Sequence, residues 1–171
     1  KETTLLGNVI EQGLTSKMDS VFVVLGANKQ KIIPTIKEYN ITIIENEDWQ
    51  LGLGKSIACA VQFLENSPTP FDGVLIALAD QPLLTASHYN KLIAEFSKSN
   101  FRIVATQQNS TIGVPAVFSE NYFEQLSLLN KDRGAKILIK ENLDDICYID
   151  ADGMALDTDT IDDYKELYKK Y

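Results

Sequence analysis

The sequence predicts an α/β fold in which helices cover both faces of a mainly parallel sheet. Three observations support this prediction. Apolar residues recur at helical and at strand spacing in turn, the two patterns alternate along most of the chain, and several strand patterns are apolar throughout. Continuously apolar strands are typical of parallel sheets buried on both faces, and strand–helix–strand alternation requires crossover connections. The length of 171 residues is that of one domain with one sizeable core.

The first eight elements follow directly from these patterns. Residues 4–14 have helical apolar spacing, and Thr3 or Thr4 is placed to cap that helix. Pro34 is expected to kink the second helix or to mark its true start. The predicted elements are, in order, helix 4–14, strand 20–25, helix 29–39, strand 41–45, helix 56–64, strand 73–78, helix 86–96 and strand 101–106.

After residue 106 the regular alternation ends. Residues 113–118 form a short predicted strand that contains Pro115, and a glycine close to a proline in an extended segment predicts a turn entering an edge strand. The remaining predicted elements are helix 122–129, helix 135–141, strand 147–149 and helix 161–168.

The composition argues against several classes of protein. Sixteen basic and twenty-four acidic side chains give a net charge of −8, whereas a nucleic-acid backbone needs a basic partner. No apolar run approaches the length of about 20 residues that a membrane span requires, and no signal segment opens the chain, so we expect a cytoplasmic protein. Cys59 and Cys147 have no disulfide or metal-ligand spacing. His88 is the only histidine, which makes a histidine-based triad or zinc site close to excluded.

Asp80 is the first candidate for chemistry. It comes at the end of the strand predicted over residues 73–78, and open parallel sheets bind their ligands at the carboxyl ends of strands. A carboxylate at that place is suited to holding Mg²⁺ against a nucleotide phosphate. Two structural alternatives fit the sequence equally well: Asp80 caps the next helix, or it starts a turn with Pro82.

The second candidate is the segment Asn46–Ser56, between the second predicted strand and the third predicted helix. Gly54, Lys55 and Ser56 resemble the end of a phosphate-binding P-loop, but Trp49 stands where that motif has its first glycine, and nearby acidic residues would repel a triphosphate. A glycine-rich loop can still approach a base or ribose closely, because glycine has no Cβ. The alternative is a plain loop in which Ser56 caps a helix.

Two segments in the second half of the chain complete the candidates. Asp132 could cap the helix that follows and Arg133 could reach an anion at its N-terminus, although a plain turn is at least as compatible with the sequence. Asp157 and Asp159 would face the same side of an extended segment, so one or both could join Asp80 at a metal. The competing interpretation is helix capping, because residues 160–163 loosely match a capping box.

Five motifs follow one another along the chain. They are Asn46-Glu47-Asp48-Trp49 through Gly52 to Ser56-Ile57, Leu78-Ala79-Asp80-Gln81-Pro82, Gly113-Val114-Pro115-Ala116-Val117-Phe118, Asp132-Arg133-Gly134-Ala135-Lys136, and Asp157-Thr158-Asp159-Thr160-Ile161-Asp162-Asp163. In this order they resemble the motifs of the MobA-like NTP transferases, and among them the molybdenum cofactor cytidylyltransferases.

The resemblance implies a three-layer Rossmann-like fold of the glycosyltransferase-A type. It implies transfer of a nucleoside monophosphate from CTP, or another NTP such as GTP, to a phosphorylated acceptor such as molybdopterin. Asp80 and Asp159 match the catalytic positions that hold Mg²⁺. The partners implied are an NTP, the acceptor and, transiently, a molybdoenzyme. The nucleotide-binding positions matched are Gly52, Gly54, Ser56 and Gln81, and the acceptor-binding positions are Gly113, Pro115, Arg133 and Gly134.

Two departures from the family pattern are visible. The phosphate loop that opens the family's domain has no counterpart within residues 1–171, so we expect the first strand and this loop to lie upstream of Lys1. Ile161 stands where the family has a proline. Two alternatives to a transferase remain open from the sequence: a non-catalytic protein that binds or inserts the molybdenum cofactor, and a P-loop NTPase.

Overall fold

A computed structural model of the protein describes residues 4–158, 160, 162 and 165. The α-helices in this part of the chain are α1 (Leu5–Thr15), α2 (Lys29–Ile36), α3 (Leu53–Glu65), α4 (Ala86–Lys98), α5 (Phe123–Ser127) and α6 (Lys136–Glu141). The strands are β1 (Phe22–Leu25), β2 (Thr42–Glu45), β3 (Gly73–Ile76), β4 (Ile103–Gln108), β5 (Thr111–Ser119) and β6 (Ile146–Asp150). The helix predicted over residues 161–168 lies for the most part outside the described residues.

The strands form two sheets. β1 and β2 pair in parallel, with Val23 opposite Ile43. The second sheet has the order β3-β5-β4-β6, in which β5 runs antiparallel to both β3 and β4 while β6 runs parallel to β4. β3, β4 and β6 therefore share one direction, which confirms the mainly parallel arrangement, and their carboxyl ends lie at one edge of the sheet.

Helices cover both faces of the larger sheet. Leu92 of α4 forms an apolar cluster with Val104 and Val117 on one face. α3, α5 and α6 cover the opposite face, where Ile103 and Phe118 belong to the largest buried cluster. Neighbouring residues of β4 and β5 thus point to opposite faces, as the two-residue period of a strand requires. The expected three-layer architecture is confirmed.

The smaller sheet is packed by the first two helices. Ile10 of α1 and Ile36 of α2 form a cluster with Val23 of β1. Thr4 caps α1 as predicted, since its Oγ1 accepts a hydrogen bond of 3.0 Å from the N–H of Gly7. α2 begins at Lys29, so Pro34 does not mark its start but lies inside the helix, two residues before its end.

β5 lies in the middle of the sheet, and the prediction of an edge strand was wrong. Ala116 pairs with Ala105 and Gly113 pairs with Thr106, so Val114 and Pro115 have no register partner in β4. The peptide bond between these two residues is cis. A bulge in the ladder has no need of the N–H that proline lacks, and this is why a central strand can contain Pro115.

Candidate active site

A cleft of about 480 Å³ opens where β3, β4 and β6 end. Gln81 follows β3, Gln108 ends β4 and Asp157 comes after β6, and all three line the cleft, together with Gly113 and Val114 of β5. Carboxyl ends of strands with a common direction are the usual ligand edge of an α/β sheet. Apolar side chains form much of the remaining wall, namely Leu53, Ile57, Ile76, Leu78, Ala135 and Ala155.

Asp80 lies in the turn that follows β3, half-buried and immediately before Gln81. α4 begins at Ala86 after the N-cap residue Thr85, so Asp80 does not cap that helix and the first structural alternative is excluded. The backbone carbonyl of Asp80 accepts a hydrogen bond of 2.8 Å from the N–H of Thr158. The chain that leads to Asp159 therefore runs beside Asp80, while Asp159 itself lies outside the described residues.

Residues 151–158 form a strap across the carboxyl edge of the sheet. The N–H of Ala151 donates to the Gln107 carbonyl at 2.8 Å, and the N–H of Ala155 donates to the Gln108 side chain at 2.7 Å. Thr158 supplies a third attachment, to the turn after β3. Because the strap is bonded to the ends of two different strands, it forms one side of the cleft.

Gln81 is almost completely buried, with 6% of its surface exposed. Its Nε2 donates a hydrogen bond of 2.8 Å to Oδ1 of Asp157 in the strap. Its Oε1 has no hydrogen-bond partner in the described part of the chain. Buried polar atoms are nearly always paired, so this oxygen at the cleft wall is suited to accept a hydrogen bond from a ligand.

The glycines of the loop before α3 make room for backbone atoms of the protein itself. A Cβ on Gly54 would lie 2.5 Å from the carbonyl oxygen of Arg133, and one on Gly52 would overlap the backbone of Lys131. The φ of Gly52 is 98°, a value that favours glycine. The N–H of Gly54 also donates to the Lys131 carbonyl at 2.9 Å. The loop and the turn at residues 130–133 are therefore interlocked.

The same loop does not offer its N–H groups to a phosphate. A P-loop binds phosphate through unpaired backbone N–H groups. Here the groups are used internally, because the N–H of Leu51, Gly52, Gly54 and Lys55 donate to the carbonyls of Asp48, Trp49, Lys131 and Gly52, respectively. The P-loop interpretation is not supported by this geometry.

Ser56 does not cap α3, because that helix begins three residues earlier, at Leu53. Its Oγ instead accepts a hydrogen bond of 3.1 Å from Nδ2 of Asn46, which closes the loop on itself. The acidic side chains nearby are partly neutralised, since Nζ of Lys29 lies 2.5 Å from carboxylate oxygens of both Glu45 and Glu47. Hydrogen bonds to these two carboxylates raise the pKa of Lys29.

Only two of the four predicted acceptor-binding residues line the cleft. Gly113 and Gly134 line the cleft, and a Cβ on Gly113 would meet nothing within 4 Å, so open space lies in front of it. Pro115 is fully buried, and Arg133 lines a separate cavity of about 150 Å³. Asp132 lines the main cleft and is not the N-cap of α6, a position held by Ala135.

Several cleft residues were not among the site residues predicted from the sequence, although Lys136 belongs to one of the five motifs. Thr106, Gln108 and Asn109 lie at the end of β4, and Lys136 opens α6 with an exposed basic side chain. The polar run that ends β4 was a usable signal, because polar residues at the end of an apolar strand are the pattern that pointed to Asp80. Lys136 brings a basic group to a cleft wall that also contains Asp132 and Asp157, and its ammonium is suited to an anionic group of a ligand.

His88 of α4 is packed against β4 and is 1% exposed. Its Nε2 lies 2.9 Å from Oγ1 of Thr106, and that hydroxyl donates a hydrogen bond of 2.6 Å to the Pro115 carbonyl. Burial lowers the pKa of His88, and the positive charge of Lys91 acts in the same direction. The ring is therefore neutral at pH 7.

Within residues 4–158, 160, 162 and 165, no three His, Cys, Asp or Glu side chains come together as a metal-binding group. In the same part of the chain no helix combines the length and the apolar character that a bilayer crossing demands.

Comparison with known proteins shows that most of the chain matches the model of one protein family. A family model described as the MobA-like NTP transferase domain matches residues 1–146. The purine catabolism protein PucB of Bacillus subtilis is 28% identical over 144 residues, which are 77% of this chain and 65% of PucB, so the chain spans less than two thirds of that relative.

Solved structures agree with the fold. The homolog of Mycobacterium tuberculosis Rv0371c from Mycobacterium sp. strain JC1 is 29% identical, with a TM-score of 0.83 over 99% of this chain and 84% of that one. Rv0371c of Mycobacterium tuberculosis H37Rv in complex with manganese is 22% identical, with a TM-score of 0.82 over 100% of this chain and 89% of that one.

Proposed function

The chain belongs to the MobA-like NTP transferase family, and we propose that it transfers a nucleoside monophosphate from an NTP, CTP first among them, to a phosphorylated acceptor such as molybdopterin. In this reaction an oxygen of the acceptor phosphate forms a bond to the α-phosphorus of the NTP. The bond from that phosphorus to the bridging oxygen breaks, and pyrophosphate leaves. The observation that carries the proposal is the cleft of about 480 Å³ beside Asp80, a volume within the usual range for small-molecule sites.

The reaction requires positioning and charge neutralisation more than it requires a strong base. A phosphate acceptor is already an anion, and the barrier lies in bringing it to a second anion. The side chains of the cleft suit a flat, polar acceptor of this kind. Ile57 and Val114 can pack against its faces, Oε1 of Gln81 can accept a hydrogen bond from its edge, and Lys136 can attract its phosphate.

We further propose that Asp80 and Asp159 hold Mg²⁺. Mg²⁺ in nucleotide sites takes one or two carboxylates and completes its shell with phosphate oxygens and water, so a pair of aspartates is a suitable donor set. The hydrogen bond from Thr158 to the Asp80 carbonyl supports this pair, because Thr158 directly precedes Asp159. The manganese complex of Rv0371c supports a divalent cation. When bound, the cation would neutralise charge on the NTP phosphates.

We propose that the nucleotide lies on the side of the site formed by the loop of Gly52, Gly54 and Ser56, with Gln81 at the boundary. Because backbone atoms of Lys131 and Arg133 fill the space at the two glycines, this loop would act by shaping that side of the site and not through direct contact at the glycines. We place the acceptor in the cleft, against Gly113 and Gly134. Pro115 and Arg133 then contribute from behind the cleft wall, since neither lines it.

Release of pyrophosphate by the full-length protein tests the proposal. CTP, GTP and ATP are compared with molybdopterin as acceptor, with Mg²⁺ and with a chelator, and release is expected to require both the cation and the acceptor. Asp80→Asn preserves size but removes the charge that holds the cation. We expect it to lower kcat/KM about a hundredfold, which corresponds to about 3 kcal/mol of transition-state stabilisation.

Asp72→Asn is the matched control, because Asp72 is an exposed aspartate in the loop before β3, outside the cleft. This variant should keep wild-type activity. Release at the wild-type rate by Asp80→Asn would remove Asp80 from the mechanism, and release by the wild-type protein in the presence of the chelator would remove the metal.

A further inference from the structure

At the cleft wall and directly behind it, β5 contains two residues that the sheet does not hold in register. Val114 and Pro115 have no partner in β4, and the pairing of β5 with β3 extends only as far as Ala116. Val114 lines the cleft together with its neighbour Gly113. A bulge next to a site re-aims the side chains around it, and its backbone groups must find partners outside the ladder.

Two hydrogen bonds in series reach this bulge from α4. Oγ1 of Thr106 lies 2.6 Å from the carbonyl oxygen of Pro115, and Nε2 of His88 lies 2.9 Å from the same hydroxyl. A carbonyl can only accept, so the hydroxyl proton of Thr106 points to Pro115. The hydroxyl must then accept from His88, and Nε2 of the neutral ring carries the proton.

The second ring nitrogen of His88 makes this arrangement unusual. Nδ1 is buried and has no hydrogen-bond partner among the residues that the structure describes. A buried polar atom without a partner is costly, so an apolar side chain would be the more stable choice if packing alone mattered. Leu92, one turn further along α4, packs against Val104 in this way. Histidine at residue 88 therefore provides a hydrogen-bond donor at Nε2, which an apolar side chain could not provide.

We propose that His88 is a positioning residue that, through Thr106, holds the Pro115 carbonyl and thereby the Gly113–Val114 wall in the shape that receives the acceptor. This inference rests on the proposed function, in that it takes the cleft to be the acceptor site. His88 does not line the cleft and touches neither substrate, so its effect is on the shape of the wall. The role requires the Nε2–H tautomer and the Thr106 hydroxyl together.

Nuclear magnetic resonance tests the hydrogen bonds without any substrate. His88 is the only histidine within residues 1–171, so its imidazole in a ¹⁵N-histidine-labelled protein is assigned by the signal that His88→Gln removes, and its long-range ¹H–¹⁵N correlations identify the tautomer. We expect the Nε2–H tautomer in the wild type and in Thr106→Ser, which keeps the hydroxyl. Thr106→Val has nearly the same shape without it, and should lose the protected Nε2–H and shift the amide signals of Gly113 and Val114. An Nδ1–H tautomer in the wild type, or unshifted wall signals in Thr106→Val, would overturn the inference.

Kinetics separates positioning from packing. His88→Leu and Thr106→Val are each expected to raise the KM for molybdopterin about fivefold to tenfold, the effect of losing a neutral hydrogen bond, while kcat and the KM for the NTP stay unchanged. Thr106 itself lines the cleft, whereas His88→Leu removes the donor from outside it. Thr106→Ser should restore the wild-type value. Val104→Ala, on the same face of β4, is the control for lost packing and should lower stability without separating the two KM values.

Equal changes in both KM values, or the same separation in Val104→Ala, would contradict the positioning role. Absence of pyrophosphate release from the wild type with every NTP would instead defeat the proposed function. In that case the tautomer and the amide shifts still decide whether His88 shapes the wall.

Discussion

Replacing Gly54 by alanine places a methyl group inside the interlock between the loop before α3 and the turn at residues 130–133. The new carbon would lie 2.5 Å from the Arg133 carbonyl oxygen and 2.8 Å from both the backbone nitrogen and the carbonyl oxygen of Asn130. All three neighbours are backbone atoms, so no change of rotamer relieves the overlap. The turn itself must move away from α3.

The expected loss of stability combines three effects. Overpacking of a tight contact costs about 1–3 kcal/mol. Movement of the turn also weakens the hydrogen bond of 2.9 Å from Gly54 to Lys131, and a bond of this type contributes about 1 kcal/mol. Alanine regains at most about 1 kcal/mol through its higher helix propensity, because Gly54 lies in the first turn of α3. We expect the free energy of unfolding to fall by about 1–3 kcal/mol.

Urea denaturation followed by circular dichroism measures this change. Gly113→Ala is the matched control, because its new carbon would meet nothing within 4 Å. Its free energy of unfolding should differ from the wild type by about 0.5 kcal/mol or less. An unchanged midpoint for Gly54→Ala would refute the close approach of loop and turn. An equal loss in both variants would show that removal of glycine, and not the available space, determines the result.

Two further predictions concern the cleft and the buried histidine. Gly113→Leu should fill the open space before the wall and raise the KM for the acceptor but not for the NTP in the pyrophosphate assay, and equal changes in both would place the acceptor elsewhere. Burial and Lys91 hold the pKa of His88 below its usual 6.5, while Asp150 and Asp152 act in the opposite direction. The folded ring stays neutral when the unfolded ring takes up a proton, so the stability from His88 is complete above about pH 6.5 and is lost as the pH falls below it. Urea denaturation between about pH 8 and pH 5 should show a shallower decline in His88→Gln than in the wild type, and identical declines would contradict the shift.

The helices and the strands that share one direction were predictable because their signals are local. For α1, both signals, the apolar spacing and the capping hydroxyl of Thr4, come from residues that are close together in the sequence. The place of β5 was not predictable, because the order of strands in a sheet depends on pairing between distant segments. Pro115 pointed to an edge, and only the register of β4 and β5 shows the bulge that admits it to the centre.

The site was predictable only in part, for a related reason. Asp80 and Gln81 could be found because a polar residue at the end of an apolar strand marks the ligand edge of the sheet. Gly52 and Gly54 pointed to a ligand, yet the structure places protein backbone against them. A glycine motif indicates that another group packs closely against the backbone, but it does not indicate whether that group belongs to a ligand or to the protein. The hydrogen bonds from His88 of α4 through Thr106 to Pro115 of β5 could not be predicted, because the local sequence of neither element indicates that the two lie close together.

The strap has a consequence for how the protein is made. It bonds Asp157 to Gln81, 76 residues earlier, and Ala155 to Gln108, 47 residues earlier. Contacts between such distant residues form late, because the intervening chain must first give up its freedom. Synthesis from the N-terminal end delivers the sheet strands β3, β4 and β5 before the residues that close over them. We therefore expect the carboxyl ends of the strands to stay uncovered in a nascent chain until residues 151–158 have been synthesised. Ligand binding should begin only then.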